Sequence, residues 1–448
     1  MASSKQKTNR ARQLVSIGAT TAVVAMVLAG CSSSGAPAGG SDATTGVTIT
    51  VALAQDAPPQ AALDAFKKDT GITVKWVNLD WDSLQTKISA AASANSYFAD
   101  ATNVDWSRVG QLGRLGWFQP MEDLVDTEAM EKDMPQMKSF TSDGHVVGVP
   151  YTASFMVTTV NKEMFEAAGV KTMPTTIDEY TAALHAVKDS GVAKYPLNVP
   201  FAAAEGLSTY WYETTGAFGG TVLDGKGQPL FTDKASAGYK AFEWLVNAAK
   251  DGLVSPGSIN TTDTEGEQAI MAQGEAASTF SDYSGLIGTL YDVPDMSKVT
   301  GKVVYIPTPG VTGPAANLSN PDGIGIPAKA KHPAAAAKFI EWFTSADVQA
   351  DFTGLNEPEA IWSTYALPSR LSVVKDMAAS GNLPGGDALA AMLETAAPVF
   401  PEGAPIWYPE FSSAVYTNLH AAVGGELTVE EAITKIADTV TKLAADEG

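Results

Sequence analysis

The sequence predicts an α/β protein of at least two domains, with mostly parallel sheets and flanking helices. Three observations carry that reading. Strand-like and helix-like stretches alternate from Val47 to Leu115, the pattern of βαβ units. The chain has 448 residues, more than one hydrophobic core organises. The stretch Asp143–Lys162, DGHVVGVPYTASFMVTTVNK, reads as a connection between two lobes. Asp143-Gly144 is a tight-turn pair, and the Val-, Thr-, Tyr- and Phe-rich residues after it read as two short strands. Pro150 falls between them; it supplies no N–H and restricts the residue before it, which suits the end of one strand and the start of a crossover. Tyr151 then falls in the cleft between the lobes.

Each element follows from local pattern. Val47–Leu53 alternates as a strand, Gln60–Thr70 is a helix with Leu63 and Phe66 inward, stopped at Gly71, and Ile72–Val77 is a second strand. Asp82 is placed to cap a helix carrying Leu84, Ile88 and Ala91. Ala101–Val104 is a third strand and Ser107–Leu115 another helix. Beyond the crossover, Thr176 and Glu179 form a capping box for a helix ending at Gly191, and Thr209–Ala217 is helical. Asp233 is placed to cap a long helix with Tyr239, Phe242, Leu245 and Val246 on one face, and Thr264 with Glu267 forms a further capping box. Strands are expected at Ala276–Phe280 and Lys302–Ile306. Gly323–Pro327 reads as a strand returning to the first lobe, followed by the helix Ala334–Phe343. Leu367–Ser369 reads as a second crossing, and the tail is helical.

The N-terminus has its own logic. Lys5, Lys7, Arg10 and Arg12 precede a largely apolar run from Leu14 to Gly30, a secretory signal pattern too short and too weakly hydrophobic for a permanent span. It ends in Leu28-Ala29-Gly30-Cys31, and Cys31 is the sole cysteine. That spacing resembles the lipobox of bacterial lipoproteins, which implies cleavage after residue 30 and lipidation of Cys31. Residues 31–46, small and polar, then read as a flexible tether. The net charge of −21 becomes −25 once the four basic residues of the leader are removed. Such a surface argues against nucleic acid, whose phosphates need clustered Lys and Arg, and favours a neutral ligand over an anionic one.

Six stretches, in order, resemble the solute-binding proteins of carbohydrate ABC importers, the maltose-binding-protein type. They are Phe66–Val74 (FKKDTGITV), Phe98–Asp100 with Val104–Trp106, Gly148–Tyr151 with Asn161–Glu163, Glu267–Phe280 (EQAIMAQGEAASTF), Ala336–Phe343 (AAKFIEWF) and Leu367–Arg370 (LPSR). Met271 and Glu275 depart from the family's pattern in the fourth. The resemblance implies a two-lobe, type II periplasmic-binding-protein-like fold with two to three hinge crossings. Its N-terminal lobe would comprise residues 47–151 and 308–368, and its C-terminal lobe residues 152–307 and 369–448. It implies a monomeric lipoprotein, tethered to the outer face of the cell membrane, that captures a mono- or oligosaccharide and passes it to a permease. A polyol or a glycerol-phosphate-type ligand is the alternative within that role. No cofactor, metal or catalysis is expected.

A sugar is held by aromatic faces against its C–H surfaces and by fixed polar groups on its hydroxyls. Trp81, between Asp80 and Asp82, and Asp105-Trp106, directly after the third strand, are candidates because ligands of open α/β sheets bind at the carboxyl ends of strands. Gln55 and Asp56 follow the first strand on the same rim. Tyr151, Trp211, Tyr212 and Tyr283 are candidates facing them, with Trp362; Tyr283 stands where the family often places a stacking tryptophan. Asp322, Trp407-Tyr408 with Glu410, and Arg370 are weaker candidates. Trp76, Trp117, Trp244 and Trp342 lie in apolar patterns and read as core.

An enzymatic reading has less to stand on. The four histidines are scattered outside any metal motif, and neither a G-x-S-x-G elbow nor a phosphate-binding G-x-x-x-x-G-K-[ST] occurs. The best rival is a surface glycoside hydrolase with Asp105 and Glu213 as its carboxylate pair. Asp263–Glu267 lacks calcium-loop spacing and reads as a helix start.

Overall fold

The computed structural model describes residues 44–447 apart from 264, 353–366 and 401–402. The first sheet forms around two central strands whose side chains are mostly buried, flanked by a half-exposed one. β1 (Thr48–Leu53) lies between β2 (Thr73–Asn78) and β3 (Ala101–Asp105), parallel to both, as the alternating pattern predicts. Ile49, Val51 and Leu53 pack with Phe66 of helix α1 (Gln60–Thr70), and with Phe339, Ile340 and Phe343 further along the chain. Leu84 and Ile88 of helix α2 (Trp81–Ser93) pack with Val104 and Phe118 in a neighbouring cluster. α1 stops where expected: Gly71 takes φ +75° and its N–H donates to the Lys67 carbonyl.

Two caps differ from the sequence reading. Asp80, not Asp82, caps α2 by accepting from the Ser83 amide at 2.9 Å. Ser236, not Asp233, caps Ala237–Lys250; Asp233 accepts from Ala235 N in the preceding turn. In both cases a second capping-competent residue stood within three positions, and the choice depends on backbone geometry. The capping box proposed at Thr264 lies outside the described residues. Thr176 and Glu179 do form theirs.

The chain leaves the first sheet through β4 (Val149–Pro150) and the two-residue β5 (Thr152–Ala153), and enters β6 (Met156–Asn161), buried throughout. A second sheet is built from β6, β7 (Leu197–Asn198), β8 (Ser278–Tyr283) and β9 (Val303–Ile306), in the order β9-β6-β8-β7. It is walled by helices, among them α3 (Glu205–Ala217) and Ala237–Lys250, around Trp211, Phe231 and Phe242. The chain returns to the first sheet as β10 (Asp322–Gly325), and α4 (Pro333–Phe343) carries Phe339, Ile340 and Phe343 onto β1.

Strand direction corrects the expectation of mostly parallel sheets. β6 runs antiparallel to both β8 and β9, and β10 runs antiparallel to β3 and to β4. The reason is topological. β1 and β3 end at the rim between the sheets, whereas β6 and β10 enter their sheets from that rim and so must run away from it. The βαβ periodicity of the first hundred residues is silent about strands arriving from elsewhere.

Among the described residues three segments cross between the sheets, and buried amides lace them together. β5 pairs antiparallel with β11 (Leu367–Pro368). Gln349 donates to the Tyr151 and Phe343 carbonyls and accepts from the Ser369 amide at 2.8 Å. Gln136 donates to the Ser154 carbonyl and the Ser319 hydroxyl and accepts from Ser154 N. Asn320 N donates to Ser154 O. Nearby, Glu213 of α3 accepts from the Thr308 hydroxyl at 2.9 Å and from the Leu318 amide at 2.9 Å. Burial pushes the Glu213 carboxyl up to about 8, only partly offset by those two donors.

The folded chain holds a proton on Glu213 that the unfolded chain, at 4.5, releases, so stability falls as pH rises from about 4.5 to about 8. Melting curves of Glu213→Gln should decline less over that window than wild type; an identical decline would remove Glu213 as its source.

Candidate functional site

The carboxyl end of β3 supplies the centre of the first-lobe surface. Asp105 is 5% exposed, and its Oδ1 accepts from the Ser107 amide at 2.8 Å and from the Ser107 hydroxyl. Burial pushes its carboxyl up from the ordinary value; Ser107, the Arg108 charge and the Trp81 indole pull it part of the way back. Arg108, on the turn after β3, lays its guanidinium over Trp81, 5.5 Å from the ring centroid. Its Nε is buried without a hydrogen bond, and no ion pair is formed by Arg108 among the described residues. A half-buried cation held on an aromatic face with unspent donors is a binding group in waiting.

A second polar station lies alongside. Asn103 accepts from Gln85 at 2.7 Å and donates to Asp322 Oδ1 at 3.0 Å. Asp322, at the start of β10, pairs with Asp105 across the strands. Burial, with the Asp105 charge adding to it, pushes Asp322 up to about 6. Tyr151 is buried here, with its amide donating to the Asp322 carbonyl. Gln85 Oε1 is buried without a partner.

The second lobe faces these groups with its own polar and aromatic side chains. Glu205 opens α3, where the helix dipole favours an acid, and accepts from the Tyr408 hydroxyl and, at 2.7 Å, the Ser412 hydroxyl. Burial raises its pKa against those donors, and it feels the charges of both Asp105 and Arg108 across the lobe boundary. Trp106 reaches over, ring centroids 6.4 Å from Phe400 at 27° and 5.7 Å from Tyr408 edge-on. Tyr283, half-buried at the end of β8, donates to Asp263 at 2.7 Å. Asp263 fits there because residue 206 is glycine: a Cβ would lie 2.1 Å from the Asp263 Cγ. Behind Tyr283, Glu267 Oε1 and Ser281 Oγ are buried without hydrogen-bond partners. Gly110 lets the lobes meet, since a Cβ there would fall 1.9 Å from the Ala404 carbonyl oxygen.

Of the residues read from sequence, Trp81, Asp105, Trp106, Tyr151 and Tyr283 come together along this boundary. Tyr212 is 2% exposed and lies one layer behind, its ring stacked on Phe411 and edge-on to Phe400. Trp211 does not belong to the site. It is fully buried, walled by Phe231 and Phe242, and its indole N–H donates to the Gly238 carbonyl at 2.9 Å. Gln55 and Asp56 are engaged at the end of β2: the Gln55 carbonyl accepts from Trp76 and the Asp56 carboxylate from Asn78. Trp362 lies outside the described residues. Glu213 sits at the crossings rather than beside Asp105, so the carboxylate pair weighed for hydrolysis does not assemble. Arg370 is structural, paired with Asp133 at 3.3 Å. Arg108, Glu205 and Asp263 were missed. Arg108 had a signal: it is a charge two residues after Trp106, at the entry to a helix.

The fold and these facing surfaces define a two-lobe protein built to enclose a small molecule. The chain belongs to the bacterial extracellular solute-binding protein family, whose model matches residues 52–350. It is similar to the mannitol-binding protein of Pseudomonas aeruginosa, 25% identical over 282 residues covering 61% of this chain and 62% of that protein. Among solved structures it resembles the maltose-bound MalE3 of T. maritima, with a TM-score of 0.73 and 22% identity over 89% of this chain and 100% of that one. An ABC transporter solute-binding protein of Agrobacterium vitis S4 with bound D-mannitol gives 0.73 and 21% identity, covering 90% and 99%.

The two kinds of tryptophan should part in solution. Trp211→Ala should cost about 3–5 kcal/mol in denaturant unfolding, as a buried aromatic truncation does. The half-buried Trp81→Ala should cost much less. Equal costs would contradict the placement.

Proposed function

We propose that this protein is the substrate-binding component of an ABC importer, and that it captures a neutral sugar or polyol between its lobes. The observation that carries this is the Arg108 guanidinium, held on Trp81 with no ion pair among the described residues and facing Asp105 and Glu205 from the two lobes. One cation set among several carboxyls suits hydroxyl groups, which both donate and accept, better than it suits an ion. The aromatic components, Trp81, Trp106 and Tyr283, suit the C–H faces of such a ligand. The ligands named for the similar proteins, mannitol and maltose, are of this class.

In this reading the protein does no chemistry on its ligand. It works as a monomer on the extracytoplasmic face of the membrane, held by a lipid on Cys31 and the tether that follows, and hands its ligand to the transmembrane subunits. Among the described residues no helix is long and apolar enough to cross a membrane. Rotation about the three laced crossings would open and close the boundary.

A thermal-shift screen of protein lacking residues 1–31 tests the ligand class. A sugar or polyol present at about a hundred times its Kd should stabilise by about 2.7 kcal/mol. Arg108→Ala and Trp106→Ala should each reduce that stabilisation at fixed ligand concentration. A rise only with amino acids or peptides would overturn the ligand class. For the anchor, Cys31→Ala should move the protein from the detergent phase to the aqueous phase on detergent partitioning of expressing cells. Retention in the detergent phase would refute lipidation at Cys31.

A further inference from the structure

Beside the Trp106–Phe400 contact the lobe boundary opens into a cavity of about 670 Å³, within the size range of small-molecule sites. Both lobes line it. Gly110, Arg114 and the turn Thr141–Asp143 come from the first, and residues 221–227 with Phe400 and Trp407 from the second. None of the polar residues identified at the main site lines it.

Its walls have a definite chemistry. Phe400 and Trp407 supply ring surface. Among the described residues the lining carries the charges of Asp143, Asp224, Arg114 and Lys226 and the hydroxyls of Thr141, Ser142 and Thr221. The 221–227 wall is a fixed structure. Asp224 Oδ1 accepts from the Lys226 and Gln228 amides, both at 2.8 Å, closing a tight turn. Gly227, at φ +72°, brings that turn so close to Trp407 that a Cβ would lie 2.9 Å from the indole. Balanced charge, hydroxyls and aromatic edges are what a neutral, hydroxyl-rich ligand needs.

Phe400 is the link to the main site. One ring lines this cavity and also stacks on Trp106, which follows Asp105 directly in sequence. We propose that the cavity is an extension subsite, which takes the distal units of an oligosaccharide whose first unit is held by Asp105, Arg108 and Glu205. The proposal rests on the carbohydrate reading above and narrows it, from any sugar or polyol to neutral oligosaccharides bound more tightly than their shorter fragments. Because both lobes line the cavity, the distal units would also help hold the lobes closed.

Calorimetric titration with mannitol, maltose, maltotetraose, diacetylchitobiose and tetraacetylchitotetraose tests it. In wild type, the tetrasaccharide of the accepted series should bind at least about tenfold more tightly than its disaccharide. Thr221→Trp, which puts a bulky ring on the cavity wall, should erase that gain and leave the disaccharide affinity unchanged, which also shows that the variant is folded. Should Thr221→Trp not fold, Lys226→Ala at the exposed rim should still cut the tetrasaccharide gain several-fold while sparing the disaccharide. A gain that survives both variants would overturn the subsite. So would a wild type that binds disaccharide or mannitol with no gain from length, and that result would leave the carbohydrate reading standing. Silence toward all five ligands would overturn both.

Discussion

Two glutamine side chains hold together the region on which everything else depends. Gln349 and Gln136 sit where three chain segments pass between the sheets, and each both donates to and accepts from a crossing backbone. Backbone polar groups in a buried crossing must be paired, and strands of two residues cannot pair them all. The amides complete the pairing without adding charge. An ion pair there would have to recover its desolvation on every rearrangement, whereas a neutral amide can exchange one carbonyl for another at little cost. The Tyr151 carbonyl is one of the groups fixed this way, so the crossing and the ligand-facing surface are positioned by the same contacts.

The site is built from burial working against charge. Asp105, Glu205, Asp322 and Glu267 all have raised pKa values with desolvation as the leading cause, and in Glu205, Asp322 and Glu267 a neighbouring acid adds to it. Such a cluster concentrates acceptors beside the donors of Arg108 and the tyrosines. Groups left partly unsatisfied by the protein are satisfied by whatever enters, which gives a hydroxyl-rich ligand its advantage over water. The apolar contacts of Trp106 with Phe400 and Tyr408 add contact between the lobes without selecting among ligands.

Much of this was legible in the sequence because it is local. The turn at Asp143-Gly144, the stop at Gly71 and the capping box at Thr176 each depend on neighbours within a few positions. The helix Gln60–Thr70 was read to the residue. The rim position of Asp105-Trp106 followed from its place at the end of a strand. What was not legible depends on contacts between distant residues. Trp211 and Tyr283 look alike in sequence, each aromatic among polar residues, and only the packing of Phe231 and Phe242 separates them. Glu205 acquires its role from Tyr408 and Ser412, two hundred positions away. Strand direction failed for the same reason: β10 belongs to a sheet whose other members were laid down more than two hundred residues earlier, except for β4.

Gly110 gives the enclosure its end point. With no side chain there, the short helix Val109–Arg114 comes to rest against the Ala404 carbonyl; a single methyl group would act as a doorstop and hold the lobes apart. Such a stop would stand on the wall of the neighbouring cavity, away from Asp105, Arg108 and Glu205. It would shorten residence by keeping the lobes from meeting fully. The smallest side chain in the sequence therefore sets how far capture goes, and with it the balance between keeping a molecule and giving it up.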